Sequence, residues 1–219
     1  MFDFDTATGE MFLYDEIGPG YMGMIDGSTV IAALAKYKKK QRVTARINSP
    51  GGSVDEAIAI YNALERHPGG VDVIVDSLAA SAASYIAMVG ERISIAANAA
   101  IMIHSPWTLA MGNAEELRRT ADLLDKYESR LVQGYGKRMQ ISDEEVSALL
   151  MAETWYIGGE AVEAKLADEV SVIVREPATV AEGRYAKTPH QFLAKAQPGT
   201  RTKSTIAKYQ ALAAKYKNS

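Results

Sequence analysis

Between residues 43 and 107 the chain repeats one pattern: a short apolar run, a turn of small residues, then a helix or a further apolar run. RVTARI reads as a strand, and NSPGG at 48–52 turns the chain, its glycines admitting tight or left-handed geometry. Ser53 and Glu56 form a capping-box pattern at the start of a helix predicted over 54–66, with Val54, Ala57, Ile58, Tyr61 and Leu64 on one face. HPGG ends that helix, and VDVIVDS follows as a strand with Val71, Val73 and Val75 on one side; Ile74 indicates that its other side is covered as well. Strand, helix and strand in this order make a βαβ unit, so the expected fold class is α/β with a largely parallel sheet. LAASAAS is then read as a turn entering a helix over 83–89 that has almost no polar residues and is expected to be buried. RISIA and AIMIH are two more short strands.

The flanks are simpler. Residues 1–20 hold one or two strands, and a helix starts at Ser28 with Val30, Ile31, Leu34 and Tyr37 at helical spacing. Lys36 and the lysines at 38–40 read as a solvated helix end. Asn113 and Glu116 cap a long helix whose stripe of Leu117, Leu124, Tyr127, Leu131 and Tyr135 is narrow and whose other faces are charged, which suggests projection from the body. Ser142 and Glu145 cap a short helix to Met151, GGEAVEAKLADEV is another, and VSVIVR is a strand. A last helix is expected over 203–216.

With 219 residues, 47% of them apolar, the chain suits one medium-sized domain with a substantial core. It has no cysteine, which excludes disulfides, thiolate metal sites and cysteine nucleophiles. No apolar run reaches the length of a membrane span, and the acidic start MFDFDTATGE lacks the features of a signal peptide, so a cytoplasmic protein is expected. Residues 183–219 carry eight Lys or Arg and no acid, so they hold +8 and residues 1–182 hold −11, for the net charge of −3. The expected division is an acidic domain over 1–182 and a basic C-terminal extension over 183–219, partly helical or disordered.

The residues that carry chemistry lie at the turns. Ser81 and Ser84 sit in LAASAAS, His104 ends AIMIH, and Gly51 and Gly52 sit in NSPGG. A nucleophile, a base and unobstructed backbone N–H groups are the parts of a covalent hydrolase centre. No G-x-S-x-G motif is present, which argues against an α/β-hydrolase. Nothing in the pattern calls for a cofactor or a metal.

The ordered motifs INSPGG (47–52), AAS (79–81) and Met102-Ile103-His104-Ser105-Pro106 resemble those of the ClpP-type serine peptidases. The doubled AASAAS and the ETW at 153–155 are similar to the phage-encoded ClpP-like head maturation, or prohead, protease branch. The resemblance runs over about 16–174. It implies a ClpP/crotonase-like spiral of repeated βαβ units, with the helix from Asn113 as a projecting handle that joins stacked homo-oligomeric rings. It implies Ser81 as nucleophile, His104 as its base and Glu153 as third member in place of the family's usual aspartate. It implies an oxyanion hole built from Gly51 or Gly52 with Ala82, and a structural Asp168. The implied partner is a polypeptide substrate, such as a phage capsid or scaffold protein, in the host cytoplasm.

Ile157 and the pair Ala164-Lys165 depart from the family pattern, and the N-terminal segment is short, which leaves partnership with an unfolding ATPase open. Three rivals remain: a crotonase-like acyl-thioester enzyme, an SppA-like serine–lysine peptidase, and an inactive assembly protein of the same fold. The second lacks support, since no lysine lies between Lys40 and Lys126.

Overall fold

The fold was taken from a computed structural model, which describes residues 1–37, 41–171, 180–181 and 183–193. The chain divides into two compact units, Met1–Ala178 and Thr179–Ser219. The first is built on an eight-stranded sheet. Strand β1 (Phe2–Asp5) runs antiparallel to β2 (Glu10–Leu13). From β2 the order continues, all parallel, through β3 (Val43–Ser49), β4 (Val71–Ala80), β5 (Arg92–Ala96) and β8 (Glu169–Ser171). Strand β6 (Ala100–Ile103) pairs parallel with the far end of β4 and antiparallel with β7 (Thr154–Ile157).

Strand β4 organises this sheet. Its first half, Asp72 to Val75, pairs with β5, and its second half, Leu78 to Ala80, pairs with β6. The sequence alone ends this strand at Ser77 and gives LAA as turn. In the structure Leu78, Ala79 and Ala80 are fully buried strand residues. Small side chains here let neighbouring elements close in on both faces, which local propensity does not register. The strand β7 was likewise not expected; it is held by pairing with β6 rather than by apolar alternation of its own.

One face of the sheet is apolar and carries the core, with Ala45, Ile47, Val73, Val75, Ile93 and Ile95 buried. The opposite face is polar where β2, β3 and β4 meet. There Arg46 is paired with Asp76, its Nη1 also lies 3.1 Å from Glu10, and Tyr14 donates to Asp76 at 2.5 Å. Arg46 and Asp76 are 4% and 1% exposed, so the pair is desolvated and its hydrogen bonds hold it in place.

The helices follow their caps. Helix α1 (Gly27–Ala35) is capped by Asp26, which accepts from the Thr29 N–H at 2.7 Å. In α2 (Val54–Glu65) Ser53 accepts from the Glu56 N–H, but the Glu56 carboxylate does not close the box. It accepts instead from the Gly27 N–H at 2.7 Å and so ties the two helix starts together. The buried face of α2 is Ala57, Ile60, Ala63 and Leu64, turned slightly from the predicted one; Ile58 and Tyr61 are half-buried. Helix α3 (Ala82–Ala87) is buried at every position. Helix α4 (Ala114–Met139) has a full capping box at Asn113 and Glu116, and it is largely exposed until Leu131, after which Leu131, Val132, Tyr135 and Met139 enter the core. Helix α5 (Asp143–Met151) has its own box at Ser142 and Glu145, and α6 (Gly159–Glu163) is shorter than the sequence suggests.

In the second unit a parallel bridge joins Val180 to Leu193, next to a turn of 3-10 helix at His190–Phe192. The helix expected over 203–216, the lysines at 38–40 and most of VSVIVR lie outside the described residues. Among the described residues no helix is long and apolar enough to cross a membrane.

Candidate active site

Ser81 is the single residue between β4 and α3. Its backbone has φ 56° and ψ −125°, a region that side chains with a β-carbon seldom adopt. A sharp strand-to-helix turn is thus present without glycines on both sides of the serine. The fully buried Ala79 and Ala80, with the nearly buried Ala82, allow the close packing around it. The turn is held by the Ser81 N–H donating to the Met102 carbonyl at 2.8 Å and by the Ser81 carbonyl accepting from Ser84 and Tyr85 at 2.9 and 3.3 Å.

Strand β6 lies beside the end of β4, with Ala80 opposite Met102, so the residue after its end comes up against the turn. That residue is His104, whose Nε2 lies 2.7 Å from Ser81 Oγ. Ser84 faces the other way. Its hydroxyl is fully buried, 2.6 and 2.8 Å from the carbonyls of Ser81 and Met102 and 2.8 Å from the Tyr135 hydroxyl. Burial pushes the Tyr135 phenol well above the ordinary tyrosine range, so it stays a neutral hydrogen-bond partner.

The glycine turn packs directly on this serine. A β-carbon on Gly51 would sit 2.3 Å from the Ala80 carbonyl oxygen and 2.9 Å from both Ala82 N and Ser81 Cβ, and φ is +80° there. The Gly51 N–H donates to Ser49 Oγ at 3.1 Å. Gly52 differs. Ile17 bridges it on the β2 side through the Gly51 carbonyl and the Ser53 N–H, at 3.0 and 2.9 Å. In a parallel bridge of this kind the middle residue's own N–H points away from the bridging partner.

Glu153 lies just beyond α5, with φ 49°. Its N–H and that of Ser105 both donate to the Leu150 carbonyl, each at 3.1 Å. The antiparallel register of β6 and β7 ends on the pair Ile103 and Thr154, and His104 and Glu153 are the residues that flank that last pair. The Glu153 carboxylate accepts from Trp155 Nε1 at 3.1 Å. Asp168 sits apart from this centre. It accepts from the Ile93 N–H at 2.7 Å and pairs with Arg138 at 2.7 Å.

A narrow recess lies against Ser81 and His104. Val54 and Ala57 of α2, Tyr85 of α3 and Leu131 and Tyr135 of α4 make it mainly apolar. Sequence reasoning did not assign these residues to the site. The one signal available is the stripe on α4, whose last two members, Leu131 and Tyr135, form part of the recess wall. From Pro106 to Gly112 the chain leads away from His104 with no regular structure, and Trp107, Leu109 and Met111 alternate along it, all exposed.

The Clp protease family model matches residues 8–174, a span that contains every group just described. The chain belongs to the Clp protease family. A point mutant of ClpP1 from Listeria monocytogenes has a similar structure, with a TM-score of 0.68 and 21% identity over 77% of this chain and 94% of that one. The fold of this Clp protease family member is therefore the ClpP-like α/β fold. The family is one of peptidases that cleave polypeptides and generally form oligomeric rings.

Proposed function

We propose that this chain is a serine endopeptidase in which Ser81 is the nucleophile, His104 its general base and Glu153 the acid that orients the imidazole. The observation that carries this reading is the 2.7 Å contact between Ser81 Oγ and His104 Nε2 at a turn of strained backbone. Ser81 Oγ attacks the scissile carbonyl carbon while His104 takes its proton. The tetrahedral oxyanion is met by the N–H groups of Gly52 and Ala82; the Gly51 N–H is engaged by Ser49, so Gly51 serves by close packing instead. His104 then protonates the departing amine, the C–N bond breaks, and an acyl-serine remains. Water, deprotonated by His104, attacks the ester and restores Ser81 as the new carboxylate leaves. Each oxyanion donor contributes about 3 kcal/mol in sites of this kind.

The exposed segment after Pro106 suits a substrate backbone lying alongside it. The finer reading, a head maturation protease acting on phage capsid or scaffold chains in the host cytoplasm, rests on AASAAS and ETW.

A fluorophosphonate probe tests the chemistry. It is expected to label the wild-type protein at Ser81, to fail with Ser81→Ala, and to label Ser84→Ala. No labelling of folded, assembled wild-type protein would overturn the reading in favour of a crotonase-like or inactive assembly protein. Co-expression with candidate capsid chains, scored for Ser81-dependent cleavage, tests the substrate.

A further inference from the structure

A glutamate at the third position of a catalytic triad has one more rotatable bond than an aspartate. Its carboxylate therefore needs a second restraint if it is to present one oxygen steadily to an imidazole. The backbone of Glu153 is already fixed: it has φ 49°, and its N–H shares the Leu150 carbonyl with Ser105, the neighbour of His104. The side chain is met by Trp155, whose indole N–H donates to Glu153 Oε1 at 3.1 Å. An indole N–H is a donor only and finds a partner when its ring is partly buried, as Trp155 is.

Trp155 is also registered to the nucleophile. It pairs with Met102 across β6–β7, and Met102 pairs with Ala80 across β4–β6. The Met102 carbonyl in turn accepts the Ser81 N–H at 2.8 Å. One row across three strands thus links the indole to the turn that bears Ser81. From this we infer that Trp155 is a positioning residue: its N–H holds one oxygen of Glu153 and so fixes the carboxylate that orients His104. The inference rests on the reading of Glu153 as the triad acid.

The test is a double-mutant cycle on the full chain in its assembled form, with peptide cleavage followed as kcat and KM. Trp155→Phe removes the N–H and keeps an aromatic ring. Replacement of Trp155 by its benzothienyl analogue removes the N–H alone and serves if the phenylalanine variant folds poorly. Either change is expected to lower kcat about tenfold with KM unchanged, the scale of a lost hydrogen bond to a charged group. In a Glu153→Ala background the same change is expected to have no further effect, because the group it acts through is gone. An unchanged kcat in a variant where Glu153→Ala is damaging would overturn the positioning role alone. Equal losses in both backgrounds would overturn it too, as an ordinary packing effect. A Glu153→Ala protein with wild-type kcat would instead remove the triad acid itself, and with it this inference.

Discussion

At the scale of single residues, the site depends on positions where backbone and side chain make opposing demands. Ser81 holds a conformation with positive φ that costs on the order of 1–3 kcal/mol, met by the buried bonds around it. Ser84 supplies part of that support. Ser84→Ala leaves the Tyr135 hydroxyl without this partner in the core, and is expected to lower stability by about 1–3 kcal/mol in urea titration while probe labelling at Ser81 survives. Gly51→Ala is a harsher change, since its β-carbon would meet the Ala80 carbonyl at 2.3 Å in a backbone that favours glycine. It is expected to abolish cleavage, and circular dichroism with a labelling assay will show whether the turn moves while the sheet remains.

At the scale of elements, neighbouring strands are joined by charge as well as by ladder bonds. Asp76→Ala would leave Arg46 in the sheet without its main counter-charge, at an expected cost of about 3–5 kcal/mol, read from the denaturation midpoint. Elements with their own signals were legible in the sequence: α4 and α5 from capping boxes, α1 and α2 from apolar spacing, β3 and the start of β4 from their valines and isoleucines. What escaped was set by partners far along the chain. The end of β4 looks like a turn because its residues are small, and β7 carries too little apolar alternation to announce itself. Ser81, Ser84, His104 and the two glycines could be named from turns and motifs. Which of the two glycines has its N–H engaged inside the turn could not, because it depends on contacts with Ser49 and on an isolated bridge to Ile17. The recess wall was hidden for the same reason, being drawn from three helices.

At the scale of the whole molecule, acid and assembly are the two handles. Burial alone would raise the Asp168 pKa, but the Ile93 N–H and the Arg138 guanidinium outweigh it and hold the carboxyl below its ordinary value of 3.8. A depressed folded value means that the stabilisation is full above the unfolded pKa and is lost as pH falls through the folded one. Asp168→Asn is therefore expected to lower stability at pH 7, with the difference from wild type shrinking below about pH 4. Denaturation at both pH values checks the sign. For assembly, Leu117 and Leu123 are 44% and 47% exposed on the projecting part of α4, beside a family habit of forming rings. Replacing both by glutamate is expected to reduce the assembled mass in light scattering while leaving the monomer folded.

The divided allegiance of β4 also limits how such a chain can change in length. Spacing between the serine and the imidazole is measured out in rungs, so an added residue within β6 would send the histidine to the wrong side of the sheet. Two added residues would return it to the right side but displace it by about 7 Å, beyond reach of the hydroxyl. Length variation is thus confined to the connections around this pair of strands, and a protein carrying an insertion inside 100–103 would keep its sheet and lose its chemistry.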